Sequence, residues 1–152
     1  MDVISEVQPF LIKILREVNI YPTDDQIRVL NRGKPHVCKM VAGKMYIYTY
    51  QYQDEYLKIG KAGIKSKARF YSHHYNPESS KSNLAKSIVS DPAMSKYLLT
   101  SSSVGDWIKN NVTRIDLEID VALGVFGLNL IESILHCLYQ PKYEGYKTQR
   151  TL

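Results

Sequence analysis

The spacing of apolar residues changes several times along the chain, and each change marks an element. Ile4, Val7, Leu11, Ile14 and Val18 recur at helical spacing, which predicts a helix over residues 3–19. Pro9 either bends that helix or marks its real start. Thr23 followed by Gln26 reads as a capping box opening a second short helix, which Gly33 and Pro35 stop. Residues 1–40 are therefore expected to be a helical extension. The period then drops to two. Residues 45–52, MYIYTYQY, predict a strand with Tyr46, Tyr48, Tyr50 and Tyr52 on one face and Met45, Ile47 and Thr49 on the other. The polar stretch 51–55 supplies a turn, and residues 56–59 form a second strand closed by Gly60.

Helical patterns follow over residues 65–75, 84–90, 94–100 and 106–111, with the polar run NPESSKSN between the first two. Residues 114–122 alternate strictly. Ile115, Leu117, Ile119 and Val121 point one way, and Asp116, Glu118 and Asp120 point to the expected solvent face. Residues 128–139 are a strongly apolar helix ended by Pro141. Three strands in one small antiparallel sheet, flanked by helices, make an α+β fold. The expected organisation is a single domain, with residues 41–152 as its core.

Composition adds one outlier: 12 tyrosines against 3 Phe and 1 Trp in 152 residues. A phenol combines an apolar ring with a polar tip and suits surfaces that are half buried and half wet. The net charge of +5 is compatible with a polyanionic partner. Cys38 and Cys137 are far apart with no CxxC pair, so they read as two buried thiols of a reducing compartment rather than a zinc framework. The first ten residues lack the basic start and cleavage site of a signal peptide, and no apolar run looks long enough to span a membrane. A cytoplasmic protein without a membrane partner is expected.

Candidate chemistry concentrates in four pieces. Lys44-Met45-Tyr46 follows Gly43, and Lys58-Ile59-Gly60 ends the second strand. Arg69 and His73 share a helix, and Glu132 lies on the late helix that ends at Pro141-Lys142-Tyr143-Glu144. Over residues 43–145 this order resembles the GIY-YIG nuclease family. Lys58 stands at the place of that family's second tyrosine, and Glu144 stands where a terminal asparagine would fall. The resemblance implies an endonuclease hydrolysing phosphodiester bonds in DNA. It assigns Tyr46 as general base, Arg69 and His73 to the phosphate, and Glu132 to one Mg²⁺ or Mn²⁺. A rival register, Tyr46-Ile47-Tyr48, offers Tyr48 as the base.

Residue chemistry agrees with these roles. With a hairpin loop centred near Tyr52, Tyr46 faces Lys58 across the strands, and an ammonium favours a neighbouring phenolate. A guanidinium fork suits phosphate, and a carboxylate suits a hard cation. Tyr48, Tyr56, Lys61 and His74 are candidates for substrate contact. Lys65 and Lys67 also flank the site, and Lys81 reads as ordinary surface. DNA and RNA are not separated by such residues, because phosphates carry no base information. A nucleic-acid-binding module without catalysis and an RNA-cleaving enzyme are the alternatives, as monomer or homodimer.

Overall fold

The computed structural model describes residues 4–144; residue 3 of the expected first helix and residues 145–152 of the expected core lie outside the described residues. The architecture is α+β, built on one four-stranded antiparallel sheet. The strands are β1 (Ile27–Asn31), β2 (Lys44–Tyr52), β3 (Glu55–Ala62) and β4 (Thr113–Asp120), in the spatial order β1-β4-β2-β3. The helices are α1 (Gln8–Glu17), α2 (Lys67–Tyr71), α3 (Leu84–Ser90), α4 (Val104–Asn111) and α5 (Gly124–Tyr139).

The first correction concerns the helical extension, because the sheet has four strands rather than three. The helix begins at Gln8 with Pro9 in its first turn, where a missing N–H costs nothing. Gln26 Oε1 does accept the Thr23 N–H at 3.0 Å, but only a single 3₁₀ turn follows. The chain then enters β1, which pairs with β4 from Ile27↔Ile119 to Asn31↔Ile115. Ile27, Ile4, Val7, Leu11 and Leu15 are all buried against the sheet, so residues 4–31 are part of the main core.

The sheet is covered on both faces. Met45, Ile47, Ile59, Ile115, Leu117 and Ile119 pack against α1 and against Leu128, Ile131 and Leu135 of α5. The segment Val121–Tyr139 is 19 residues long with a mean hydropathy of 1.8. It is therefore long and apolar enough to cross a membrane by length and composition alone, contrary to the expectation that no run reaches that length. Here it serves as the cover of this face. Tyr46, Tyr48, Tyr50, Leu57 and Ala62 line the opposite face, beneath Phe70 of α2 and the buried sides of α3 and α4. Cys38 is half-buried and Cys137 is exposed, so the expectation of two buried thiols does not hold for Cys137.

The second correction concerns β4, whose polar face is not exposed. Asp116 is fully buried and Glu118 nearly so. Each charge is paired. Asp116 accepts from Arg114 Nε at 2.8 Å and from Arg32 Nε at 2.6 Å. Glu118 accepts the Tyr46 hydroxyl at 3.0 Å, and Asp120, at the rim, accepts Lys44 Nζ at 2.9 Å. Arg114 is itself fully buried. Its Nη1 donates to the Tyr50 hydroxyl at 3.0 Å, the Tyr75 hydroxyl at 2.9 Å and the Phe70 carbonyl at 3.1 Å. Its guanidinium also lies 4.6 Å from the centre of the Phe70 ring. A buried pair of this kind contributes little net energy, but removing one partner strands the other in a low-dielectric interior.

Asp116→Ala is accordingly expected to cost about 3–5 kcal/mol in urea unfolding, the scale for an orphaned buried charge. Asp120→Ala, at the rim, should leave the unfolding midpoint close to wild type. Equal effects of the two substitutions would contradict the buried-pair account.

Candidate functional site

The β2–β3 hairpin turns at Gln53-Asp54, with φ of 48° and 63°. Two consecutive left-handed residues make a tight turn whose twist matches the flanking strands. Leu57 is an extra residue between the Gln51↔Tyr56 and Tyr50↔Lys58 pairs, a β-bulge. These two features set the register, and it differs from the expected one. Lys58 faces Tyr50, Tyr48 faces Gly60 and Tyr46 faces Ala62. From Lys58 onward the displacement is four residues, an even number, so Lys58 and Gly60 keep the tyrosine face and change partner, whereas the bulge turns Tyr56 to the opposite face.

Tyr46 therefore does not sit beside Lys58. It is fully buried, its hydroxyl accepting the Val41 N–H at 2.8 Å and donating to Glu118. Burial, the first cause, and the Glu118 carboxylate raise its pKa, so it keeps its proton. Tyr48 takes the place expected of Tyr46. It lies over Gly60, where an added Cβ would come within 2.5 Å of the Tyr48 hydroxyl and 2.7 Å of its ring. The glycine of Lys58-Ile59-Gly60 thus makes room for this phenol.

A pocket of about 210 Å³ opens at the outer edge of β3. Tyr48, Lys58, Lys61, Arg69, Glu132 and Glu144 line it, with His74, Ser82 and the Ile59-Gly60 strand. Four of the five residues singled out from sequence as catalytic meet here or at its rim, namely Lys58, Arg69, Glu132 and His73. His73 lines an adjoining hollow with Arg69, and Tyr46 is absent from both linings. Tyr56 points to the other face of the sheet, stacked on Tyr139 at 4.4 Å, and so does not meet the pocket.

The elements deliver these side chains from four directions. Lys58 Nζ pairs with Glu144 Oε1 at 2.7 Å, and Lys61 Nζ with Glu132 Oε2 at 2.6 Å. Glu144 arrives because the chain after α5 runs beside β3, the Lys142 N–H donating to the Tyr56 carbonyl and the Tyr143 N–H to the Leu57 carbonyl. His136 takes the Ile59 carbonyl at 3.1 Å, so Glu132 does not use it as a partner one turn away. Arg69 and His74 come from α2 and the 3₁₀ turn after it.

His74 is the residue that the sequence placed only as a substrate contact. It is buried, with Nε2 2.8 Å from the Tyr48 hydroxyl and Nδ1 3.4 Å from the Leu84 nitrogen. The Leu84 N–H can only donate, so Nδ1 accepts and Nε2 carries the proton. The imidazole then donates to the Tyr48 oxygen. Burial, reinforced by Lys58, Arg114 and Arg69, pushes the His74 pKa down to about 2, so the ring stays neutral. Burial also raises the Tyr48 pKa, aided by Glu144 and Glu132 and opposed by Arg69 and Arg114. The signal that could have singled out His74 is the alternate register, which places Tyr48 on the site.

A cation would find oxygen donors here. Glu132 and Glu144 both border the pocket, and among the described residues no group of three or more His, Cys, Asp or Glu side chains assembles to cage a metal. One or two carboxylates with open space around them suit a hard ion that keeps most of its waters, not zinc.

The neutral His74 carries a pH signature. Its folded pKa lies below the unfolded value near 6.5, so below that pH the unfolded chain binds a proton that the folded one does not. The stability it contributes is complete above pH ~6.5 and falls steadily with pH below it. The stability gap between wild type and His74→Gln should narrow between pH 7 and pH 4.5 in urea titrations. A folded-state His74 imidazole titrating near neutrality in NMR spectra would contradict this.

No family model matches the chain, and no curated protein or solved structure matches it significantly.

Proposed function

We propose that the protein is a divalent-metal-dependent nuclease of the GIY-YIG type that hydrolyses phosphodiester bonds in DNA, with Tyr48 as its general base. The observation that carries this reading is the convergence of Tyr48, Lys58, Arg69, His74 and Glu132 on one pocket at the edge of β3. Their order along the chain follows the nuclease pattern once Tyr48 replaces Tyr46 and His74 replaces His73.

The roles follow from chemistry. The phenolate form of Tyr48 accepts a proton from a water that attacks phosphorus. His74 donates to the same oxygen and, with Arg69 nearby, offsets part of the burial cost of that phenolate. Arg69 is exposed at the mouth and presents a guanidinium fork to the non-bridging phosphate oxygens. Lys58, only 6% exposed, adds fixed positive charge and holds Glu144 in place. Glu132 would hold Mg²⁺, with Lys61 released towards the substrate. When bound, the ion supplies Lewis-acid stabilisation of charge on the phosphate and leaving oxygen. A nucleic-acid-binding module without cleavage is the second reading. It is favoured by the burial that keeps Tyr48 protonated and by the pairing of both lysines with carboxylates.

Purified protein incubated with plasmid and single-stranded DNA plus Mg²⁺ is expected to nick or cut. Tyr48→Phe should lower the rate by about 10²–10⁴-fold, the usual worth of a general base, and Glu132→Gln should do likewise. Tyr46→Phe should cut near the wild-type rate. Loss of cleavage in Tyr46→Phe with retention in Tyr48→Phe would reverse the assignment. Salt-dependent binding without cleavage under any divalent ion would favour the second reading.

A further inference from the structure

Beside the proposed cleavage pocket lies a larger hollow of about 330 Å³, lined by Arg69, His73, His74, Ser80, Lys81 and Ser82. The two share Arg69, His74 and Ser82, so they adjoin. Their charge differs. The cleavage pocket sets Glu132 and Glu144 against its cations, whereas no carboxylate lines the hollow. Its polar lining is a guanidinium, an ammonium, two imidazoles and two serine hydroxyls, a set dominated by hydrogen-bond donors. Among the described residues, neither Arg69 nor Lys81 enters an ion pair, unlike Lys58 and Lys61 next door.

The walls are set before any ligand arrives. Ser80, Lys81 and Ser82 belong to the loop NPESSKSN, which is folded around the fully buried Asn83. Asn83 Nδ2 donates to the Pro77 carbonyl at 3.2 Å and the Ser80 carbonyl at 3.1 Å, while Oδ1 accepts the Lys86 N–H at 2.8 Å. Ser79 Oγ donates to the His73 carbonyl at 2.8 Å, tying the loop to the turn that bears His73. A preset, donor-lined hollow loses little ordering entropy on binding an anion.

We propose that this hollow is a second phosphate subsite, which holds the phosphate adjacent to the scissile one on the same strand, with Lys81 and Arg69 as its charged contacts. The proposal rests on reading the first pocket as the cleavage site. It makes the substrate a strand of at least two consecutive phosphates rather than a single phosphodiester. It also gives Lys81 a substrate role that its position in the sequence does not suggest.

The test compares dTpdT, with one phosphate, and dTpdTpdT, with two, by NMR titration of the wild-type protein in EDTA. The trinucleotide should bind roughly ten-fold tighter, the scale of one charge-assisted contact, and it alone should shift the amides of Ser80, Lys81 and Ser82. In Lys81→Gln the preference should shrink, with Arg69 left as the remaining charged contact. With longer single-stranded DNA, the same substitution should reduce the salt slope by about 0.7, one phosphate's share. Equal affinity for the two ligands, or an unchanged preference in Lys81→Gln, would overturn the proposal. So would inorganic phosphate occupying the same amides as tightly as the trinucleotide, which would mark a free-anion site. Hydrolysis of dTpdTpdT with Mg²⁺, followed separately, tests the cleavage reading. Its absence would remove that reading without altering what the EDTA titrations decide about the hollow.

Discussion

The Arg114 guanidinium, enclosed beneath the tyrosine face of the sheet, is the constraint on which the rest of the structure depends. Its charge is tolerable there because Asp116 lies two residues along the same strand and shares its carboxylate with Arg32. What remains of the fork organises the neighbourhood. One nitrogen gathers the Tyr50 hydroxyl from β2, the Phe70 carbonyl from α2 and the Tyr75 hydroxyl from the turn beyond. Phe70 directly follows Arg69, and Phe70 and Tyr75 bracket the segment that carries His73 and His74. A single buried cation thus anchors both ends of the stretch that walls the two pockets. A buried polar network of this sort rigidifies the elements it ties together, here with Arg114 Nη2 left without a hydrogen-bond partner among the described residues.

Much of this was legible in the sequence and some was not, for identifiable reasons. The hairpin, β4 and α5 were visible because their apolar periods are clean. β1 was hidden by a real local signal, since Gln26 does bond back to Thr23, but the turn it caps lasts three residues and tertiary pairing with β4 takes over. The alternation of β4 is plain in the sequence, but its polar face is an interior one. Asp116 and Glu118 look like solvent residues until their partners Arg114, Arg32 and Tyr46 arrive from elsewhere in the chain or fold. The hairpin register failed for a subtler reason. Gln53-Asp54 lacks the glycine that usually marks a two-residue turn, and nothing in the sequence announces the bulge at Leu57.

That register decides which tyrosine matters. Tyr46 is committed on both sides of its hydroxyl, to Val41 and Glu118, and has structural work only. Tyr48 instead meets a neutral histidine inside the pocket and owes its seat to Gly60. The pocket around it is charge-balanced at rest, with Lys58 on Glu144 and Lys61 on Glu132. Such pairing keeps four ionic groups together at the edge of the sheet without a counter-ion from solvent. It also means that a cation taken by Glu132 would release Lys61 to a phosphate.

The most direct measurement of this account is the location of a divalent cation by paramagnetic broadening. Mn²⁺ titrated into labelled protein should broaden Glu132, Lys61 and the β3 amides around Gly60 first, with Tyr48 among the affected side chains. Glu132→Gln should abolish the effect. Broadening centred on another part of the chain, or unchanged by Glu132→Gln, would contradict the assignment of this pocket as a metal-assisted cleavage site.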